Sequence, residues 1–204
     1  MIRSYSNSVY AVATNPVNFT DVQKHWSLPF VQLAAAKILV EGVGAGKYVP
    51  DRVVTRAEFT AMLVRALGRG TSAGDRVIPY DDVKQVAWYV DAVSNAKELG
   101  LLSFVSTKSF KPDQPLTREE MASMLAAAIK LEKLPKPKEM ASLDGYKDNG
   151  SISPAYKEDL RLMATLQIMK GTSASTLDPK GETTRAQAAV VFIKTLQTLG
   201  LIDR

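Results

Sequence analysis

One short pattern recurs three times along the chain, and this repetition limits the possible folds more than any other feature. Tyr48-Val49-Pro50-Asp51 leads to Thr55-Arg56-Ala57-Glu58. Phe110-Lys111-Pro112-Asp113 leads to Thr117-Arg118-Glu119-Glu120. Leu177-Asp178-Pro179-Lys180 leads to Thr184-Arg185-Ala186-Gln187. In each copy Pro precedes Thr by 5 positions, and the copies are spaced by 62 and then 67 residues. Upstream, Trp26 and Trp88 each precede their Thr by 29 residues, and Ala155 takes that place in the third copy. Gly42 aligns with Phe104 and Gly171, and each copy opens on an aromatic-x-Asp: Phe19-x-Asp21, Tyr80-x-Asp82, Tyr146-x-Asp148.

The copies run over 19–68, 80–131 and 146–200, with breaker-rich linkers at 69–79 and 132–145. Residues 1–18 form an N-terminal tail or a signal remnant. Ala11-Val12-Ala13 resembles a cleavage site, but Ser4, Tyr5, Ser6, Asn7 and Ser8 interrupt any apolar stretch before it.

Each copy reads as helix, loop, helix. The second helix carries an i, i+3, i+4, i+7, i+8 stripe: Phe59, Met62, Leu63, Ala66 and Leu67 in copy one. Met121, Met124, Leu125, Ala128 and Ile129 repeat it, as do Ala188, Val191, Phe192, Thr195 and Leu196. Gly68 and Gly200 mark helix ends. The shorter first helices centre on Phe30, Val31, Ala34 and Ile38, on Ala92, Val93, Ala96 and Leu99, and on Leu160, Met163, Leu166 and Ile168. Ser153-Pro154 reads as an N-cap and first turn. A pair of short helices buries little alone, so three copies are expected to share one core in an all-α domain.

Thr55 with Glu58, Thr117 with Glu120 and Thr184 with Gln187 match the capping box, which specifies where a helix starts. The intervening Arg is not part of that chemistry. Arg56, Arg118 and Arg185 place a cation in the first turn, against the helix dipole. Two explanations stand side by side. One is a structural ion pair with an acidic residue such as Asp21, Asp82 or Asp148. The other is an anion site made by exposed first-turn N–H groups and the guanidinium fork.

Composition closes off several chemistries. With no Cys and a single His, His25, thiolate nucleophiles, zinc knuckles and multi-His metal sites are excluded, and no cofactor or metal is expected. His25 reads as a loop residue beside Trp26. Carboxylates such as Asp81-Asp82 and Glu119-Glu120 are neighbours in sequence and form no recognisable catalytic pair. No apolar run approaches the roughly 20 residues of a membrane span. The net charge of +5 and pI near 9.3 favour acidic partners. The Lys and Arg residues form no basic stripe, which argues against nucleic acid.

The ordered set of aromatic-x-Asp, Trp, Gly, Pro-Asp and Thr-Arg-Ala-Glu, in three tandem copies, resembles surface-layer homology (SLH) domains over roughly 19–200. The resemblance implies a three-pronged spindle with pseudo-threefold symmetry, displayed outside the cell at a bacterial wall or S-layer. It implies a non-catalytic anchor whose inter-repeat grooves bind secondary cell-wall polymer carrying pyruvylated N-acetylmannosamine. S-layer lattice proteins are further possible partners. Arg56, Arg118 and Arg185 would pair with the ketal carboxylate. Trp26 and Trp88 would pack on a sugar face or in the core, and Gly42 and Gly171 would open the groove or cap a helix. Tyr48 and Phe110 would anchor their loops in the core. Each groove would draw on two adjacent copies, and the one holding Phe104 would be impaired. The competing reading is an envelope protein–protein scaffold without carbohydrate binding, in which removing the three Arg charges changes nothing.

Overall fold

A computed structural model describes residues 17–69, 78–105 and 108–203. Most of the N-terminal tail and of the first linker lies outside the described residues. Six α-helices carry the described fold: α1 (Leu28–Ala36), α2 (Arg56–Ala66), α3 (Val90–Glu98), α4 (Arg118–Leu131), α5 (Lys157–Thr165) and α6 (Arg185–Thr198). Among the described residues there is no named strand, only isolated bridges, and no helix is long and apolar enough to cross a membrane.

The three second helices start where their capping boxes dictate. Thr55, Thr117 and Thr184 are the N-caps, and each Oγ1 accepts the N–H of Glu58, Glu120 or Gln187 at 3.2–3.3 Å. The Glu or Gln side-chain oxygen accepts the cap N–H at 3.1–3.2 Å in return. Each such cap contributes on the order of 1 kcal/mol. The helices end in left-handed residues: Gly68 (φ 63°), Lys133 (φ 56°) and Gly200 (φ 69°). The first helices end likewise at Ile38 (φ 58°), Gly100 (φ 73°) and Gln167 (φ 58°). The following N–H of Leu39, Leu101 and Ile168 reaches back to the carbonyl of Ala34, Ala96 and Met163 at 2.8–3.0 Å, closing a Schellman turn. Ile38 is therefore an exposed C′ residue and not the last member of a buried stripe. Ser153 does not cap α5 either. A 3₁₀ turn at Pro154–Tyr156 comes first, and the Ser153 hydroxyl donates to Glu119 instead.

The lobes of the fold are not the copies of the sequence. α2 packs on α3, α4 on α5, and α6 returns to α1. Each prong thus pairs the second helix of one copy with the first helix of the next, and the last copy closes on the first. At the axis three backbone hydrogen bonds form a ring. Val54 N–H donates to Thr183 C=O at 2.9 Å, Thr183 N–H to Leu116 C=O at 2.9 Å, and Leu116 N–H to Val54 C=O at 3.0 Å. All three residues are fully buried. The predicted stripes line the core, with Phe59 and Phe192 stacked at 4.8 Å between ring centroids. Tyr48 and Phe110 are completely buried loop anchors.

Candidate functional site

The loop before each second helix is fixed from two sides. The Asp of the opening aromatic-x-Asp accepts two consecutive N–H groups: Tyr48 and Val49 for Asp21, Phe110 and Lys111 for Asp82, Leu177 and Asp178 for Asp148, all at 2.7–2.9 Å. The second donor in each pair is left-handed and precedes Pro: Val49 (φ 57°), Lys111 (φ 56°) and Asp178 (φ 57°). The carboxylate stabilises a conformation that non-glycine residues disfavour. For Asp148 these N–H groups lower the carboxyl pKa. For Asp21 and Asp82 burial works to raise it, but the same bonds prevail and the pKa is lowered. The three Asp side chains are thus taken up by the loops and, among the described residues, none pairs with an Arg; of the three arginines, Arg56 does find an acidic partner, in Glu120.

The Arg side chains come from the preceding copy and hold the same loops by their carbonyls. Arg118 donates through Nε to Leu177 C=O at 3.0 Å and through Nη2 to Lys170 C=O at 2.7 Å. Arg185 donates to Tyr48 C=O at 2.8 Å and Glu41 C=O at 2.6 Å, and lies 4.4 Å above the Tyr48 ring. Arg56 donates to Phe110 C=O at 2.9 Å, pairs with the Glu120 carboxylate, and lies 5.4 Å from the Phe104 ring centre. The helix-start N–H groups are not exposed. Those of Arg56 and Ala57 reach Gln114 and Pro112 carbonyls at 3.0 Å, and the other two copies repeat the contact at 2.9–3.0 Å. The third N–H of each helix goes to the capping Thr. Threefold closure drives the next copy's Pro loop into the position where a free anion would otherwise sit.

What remains for a ligand is the guanidinium itself. Arg118 and Arg185 are buried, at 6% and 8% exposure, and neither has a carboxylate partner among the described residues. Burial pulls both guanidinium pKa values down, as expected for cations held out of water, yet arginine stays ionised. Two of the five N–H donors on each are used, so the Nη1–Nη2 edge keeps donors without a protein partner among the described residues.

Arg118 faces a cleft of about 300 Å³. Trp26 from copy one, Arg118 from copy two, and Gly171, Gln187, Lys170 and Lys194 from copy three line it, over a floor that includes Ile168 and Val191. Three copies contribute, not two, because the prongs pair helices of neighbouring copies and α1 folds back onto α6. Trp26 and Trp88 are 60% and 68% exposed, which rules out the core alternative for both. His25 lies against Trp26, with ring centroids 5.3 Å apart.

Gly171 and Gly42 are not helix caps. A Cβ on Gly171 would come within 2.5 Å of the Tyr146 ring and 2.6 Å of the Ser173 and Thr176 carbonyls. One on Gly42 would come within 2.7 Å of the Phe19 ring. The opening aromatic and the loop backbone therefore require glycine there. By the pseudo-threefold axis, Trp88, Arg185 and Gly42 are the second set. The third set is Ala155, Arg56 and Phe104, in which Arg56 already has Glu120 and an aromatic face as partners.

Sequence reasoning missed Lys170, Lys194 and the Glu120 partner of Arg56. The alignment of the copies held the signal for the lysines, since Lys170 stands where Glu41 and Ser103 stand, and Lys194 where Arg65 and Ala127 stand.

Comparison with known proteins agrees with this architecture. The family model described as S-layer homology domain matches residues 18–60, 79–122 and 145–189. The chain is 31% identical over 186 residues to the exoglucanase XynX of Acetivibrio thermocellus, covering 91% of this chain and 17% of that protein. It is 30% identical over 164 residues to the surface-layer 125 kDa protein of Lysinibacillus sphaericus, covering 79% and 13%. It is 27% identical over 198 residues to an S-layer protein of Bacillus thuringiensis subsp. finitimus, covering 94% and 23%. The chain thus spans less than a quarter of each of these relatives. The enzyme name of the first belongs to a much longer protein.

Proposed function

The chain belongs to the S-layer homology domain family, a non-catalytic anchoring module of the bacterial cell surface, and on that premise we propose that it grips an acidic secondary cell-wall polymer through two of its three grooves. The carboxylate of a pyruvate ketal on N-acetylmannosamine meets the open Nη1–Nη2 edge of Arg118 in one groove and of Arg185 in the other. Trp26 and Trp88 offer an exposed aromatic face to the sugar, and Gly171 and Gly42 leave room for the loop around it. The groove of Arg56 does not bind, because Glu120 supplies the counter-charge and Phe104 stands where the other grooves have glycine. S-layer proteins sharing the same wall are partners at one remove.

One observation carries this reading: two buried arginines have no carboxylate partner among the described residues, and one of them, Arg118, shares its cleft with the exposed Trp26. A buried cation of this kind is costly until an anion joins it. Truncating the arginines is a poor test, because Arg→Ala strips the Leu177, Lys170, Tyr48 and Glu41 carbonyls of donors and disturbs the loops. The exposed tryptophans are cleaner. Trp26→Ala with Trp88→Ala should weaken co-sedimentation with purified walls at least tenfold, about 1.4 kcal/mol, with helicity unchanged. Mild-acid removal of the ketal from the polymer should weaken the unmodified protein as much. Unchanged binding in both experiments refutes the groove mechanism and favours a protein scaffold.

A further inference from the structure

The three grooves also differ at two positions that lie outside the repeated pattern. The residue before the groove Gly or Phe is Glu41, Ser103 or Lys170, and the residue 10 beyond the capping Thr is Arg65, Ala127 or Lys194. In copy one these positions face each other as an ion pair, Arg65 Nη1 to Glu41 Oε1 at 2.8 Å. In copy two both are neutral. In copy three both are lysines, and both line the Arg118 cleft.

The same backbone geometry that brings Glu41 to Arg65 therefore holds two ammonium groups opposite each other. Neither lysine has a carboxylate partner among the described residues. Burial lowers the Lys194 pKa, and the charge of Lys170 lowers it further, so the two cations sense one another. The third copy also carries Gln187 where the others have Glu58 and Glu120, and no acidic residue lines the cleft. Three cations share about 300 Å³ with no carboxylate among the described residues that line it; Asp178 and Asp148 act on Arg118 only from outside the lining. A single carboxylate on Arg118 offsets only one of them.

We infer that Lys170 and Lys194 form a second anion subsite, so that the Arg118 cleft takes a doubly charged glycan unit: one acidic group on Arg118 and a second, a phosphate or another carboxylate, between the two lysines. The inference rests on the wall-polymer reading above. The Arg185 groove, whose corresponding pair is already neutralised by Glu41–Arg65, takes a singly charged unit. The two competent grooves are thus selective for different units of an acidic polymer.

The test uses Trp88→Phe protein, in which Trp26 is the only indole and reports on this cleft. Its fluorescence is titrated with purified wall polymer at low and high salt. Lys170→Glu with Lys194→Arg, which transplants the copy-one pair, should bind at least tenfold more weakly and lose less affinity as salt rises, since fewer charges are screened. Polymer stripped of phosphate and polymer with reduced carboxyls separate the two sources. If the second charge is a phosphate, stripping it should weaken the parent and leave the transplant unaffected; if it is a carboxylate, phosphate removal should change neither and carboxyl reduction should weaken both, the parent by the larger factor. The reciprocal Glu41→Lys with Arg65→Lys, read through Trp88 in Trp26→Phe protein, should confer that response on the Arg185 groove. Equal affinity and equal salt dependence of parent and transplant overturn the second subsite while leaving the wall-polymer reading standing. If the parent shows no response to untreated polymer, both fall together.

Discussion

The carboxylate of Asp82 offers a quantitative test of how these loops are held. It accepts the Phe110 N–H at 2.8 Å, the Lys111 N–H at 2.7 Å and the Ser109 hydroxyl at 2.7 Å. An Asn in its place keeps one acceptor oxygen and turns an NH₂ group towards a backbone donor. One charge-assisted bond is lost and a facing N–H is left without an acceptor, so Asp82→Asn should cost about 3 kcal/mol. With a urea dependence of about 2 kcal/mol per M, the unfolding midpoint should fall by about 1.5 M at pH 7. The difference should also depend on pH. Burial of Asp82 works to raise its pKa, but the bonds from Ser109, Phe110 and Lys111 prevail and lower it in the folded state. Its contribution is then intact above the unfolded value of about 3.9 and is lost as pH falls through the lowered folded value. The gap between the two proteins should narrow progressively below about pH 4. A midpoint shift under about 0.3 M at pH 7, or a gap that stays constant to pH 3, would refute the charged-clamp account.

Two further substitutions probe the axis and the helix ends. Thr183 sits at the axial ring where the other copies have Val54 and Leu116, and its buried hydroxyl has no partner among the described residues, so Thr183→Val should raise stability by about 1 kcal/mol in chemical denaturation. A destabilised variant would mean that the hydroxyl has an acceptor. Ile38 is an exposed β-branched residue at φ 58°, at the position where copy two has Gly100, so Ile38→Gly should gain about 0.5–1 kcal/mol despite glycine's greater freedom in the unfolded chain. Thermal unfolding would show it, and a lower midpoint would contradict the strain.

Much of the fold was legible because it is local. A capping box needs only four residues, and all three helix starts fall where Thr55, Thr117 and Thr184 place them. In the stripe from Phe59 to Leu67, Phe59, Leu63 and Leu67 are buried and Met62 and Ala66 partly so, because helical spacing alone puts those side chains on one face. Gly68 and Gly200 end their helices for an equally local reason, but Ile38 shows the limit. It fits the apolar spacing, yet the Schellman turn at the end of α1 leaves it in solvent.

The site was legible in its parts and not in its assembly. Trp26, Arg118 and Gly171 could each be picked from the repeated pattern, but they belong to three different copies and meet in one cleft. Nothing within a single copy reveals that α2 pairs with α3 and α6 with α1, since that exchange depends on which apolar faces find each other across the axis. The partners of the arginines were hidden for the same reason. The sequence alone determined that the chain makes three capped helical units, each with a cation at a helix start, because caps and stripes act over a few residues. Only the tertiary structure decided that those cations would grip neighbouring loops, that Glu120 would neutralise Arg56, and that Arg118 would share a cleft with two lysines and no carboxylate among the described residues that line it. Charge balance is a property of the space that folded segments enclose together, and distance along the chain does not encode it.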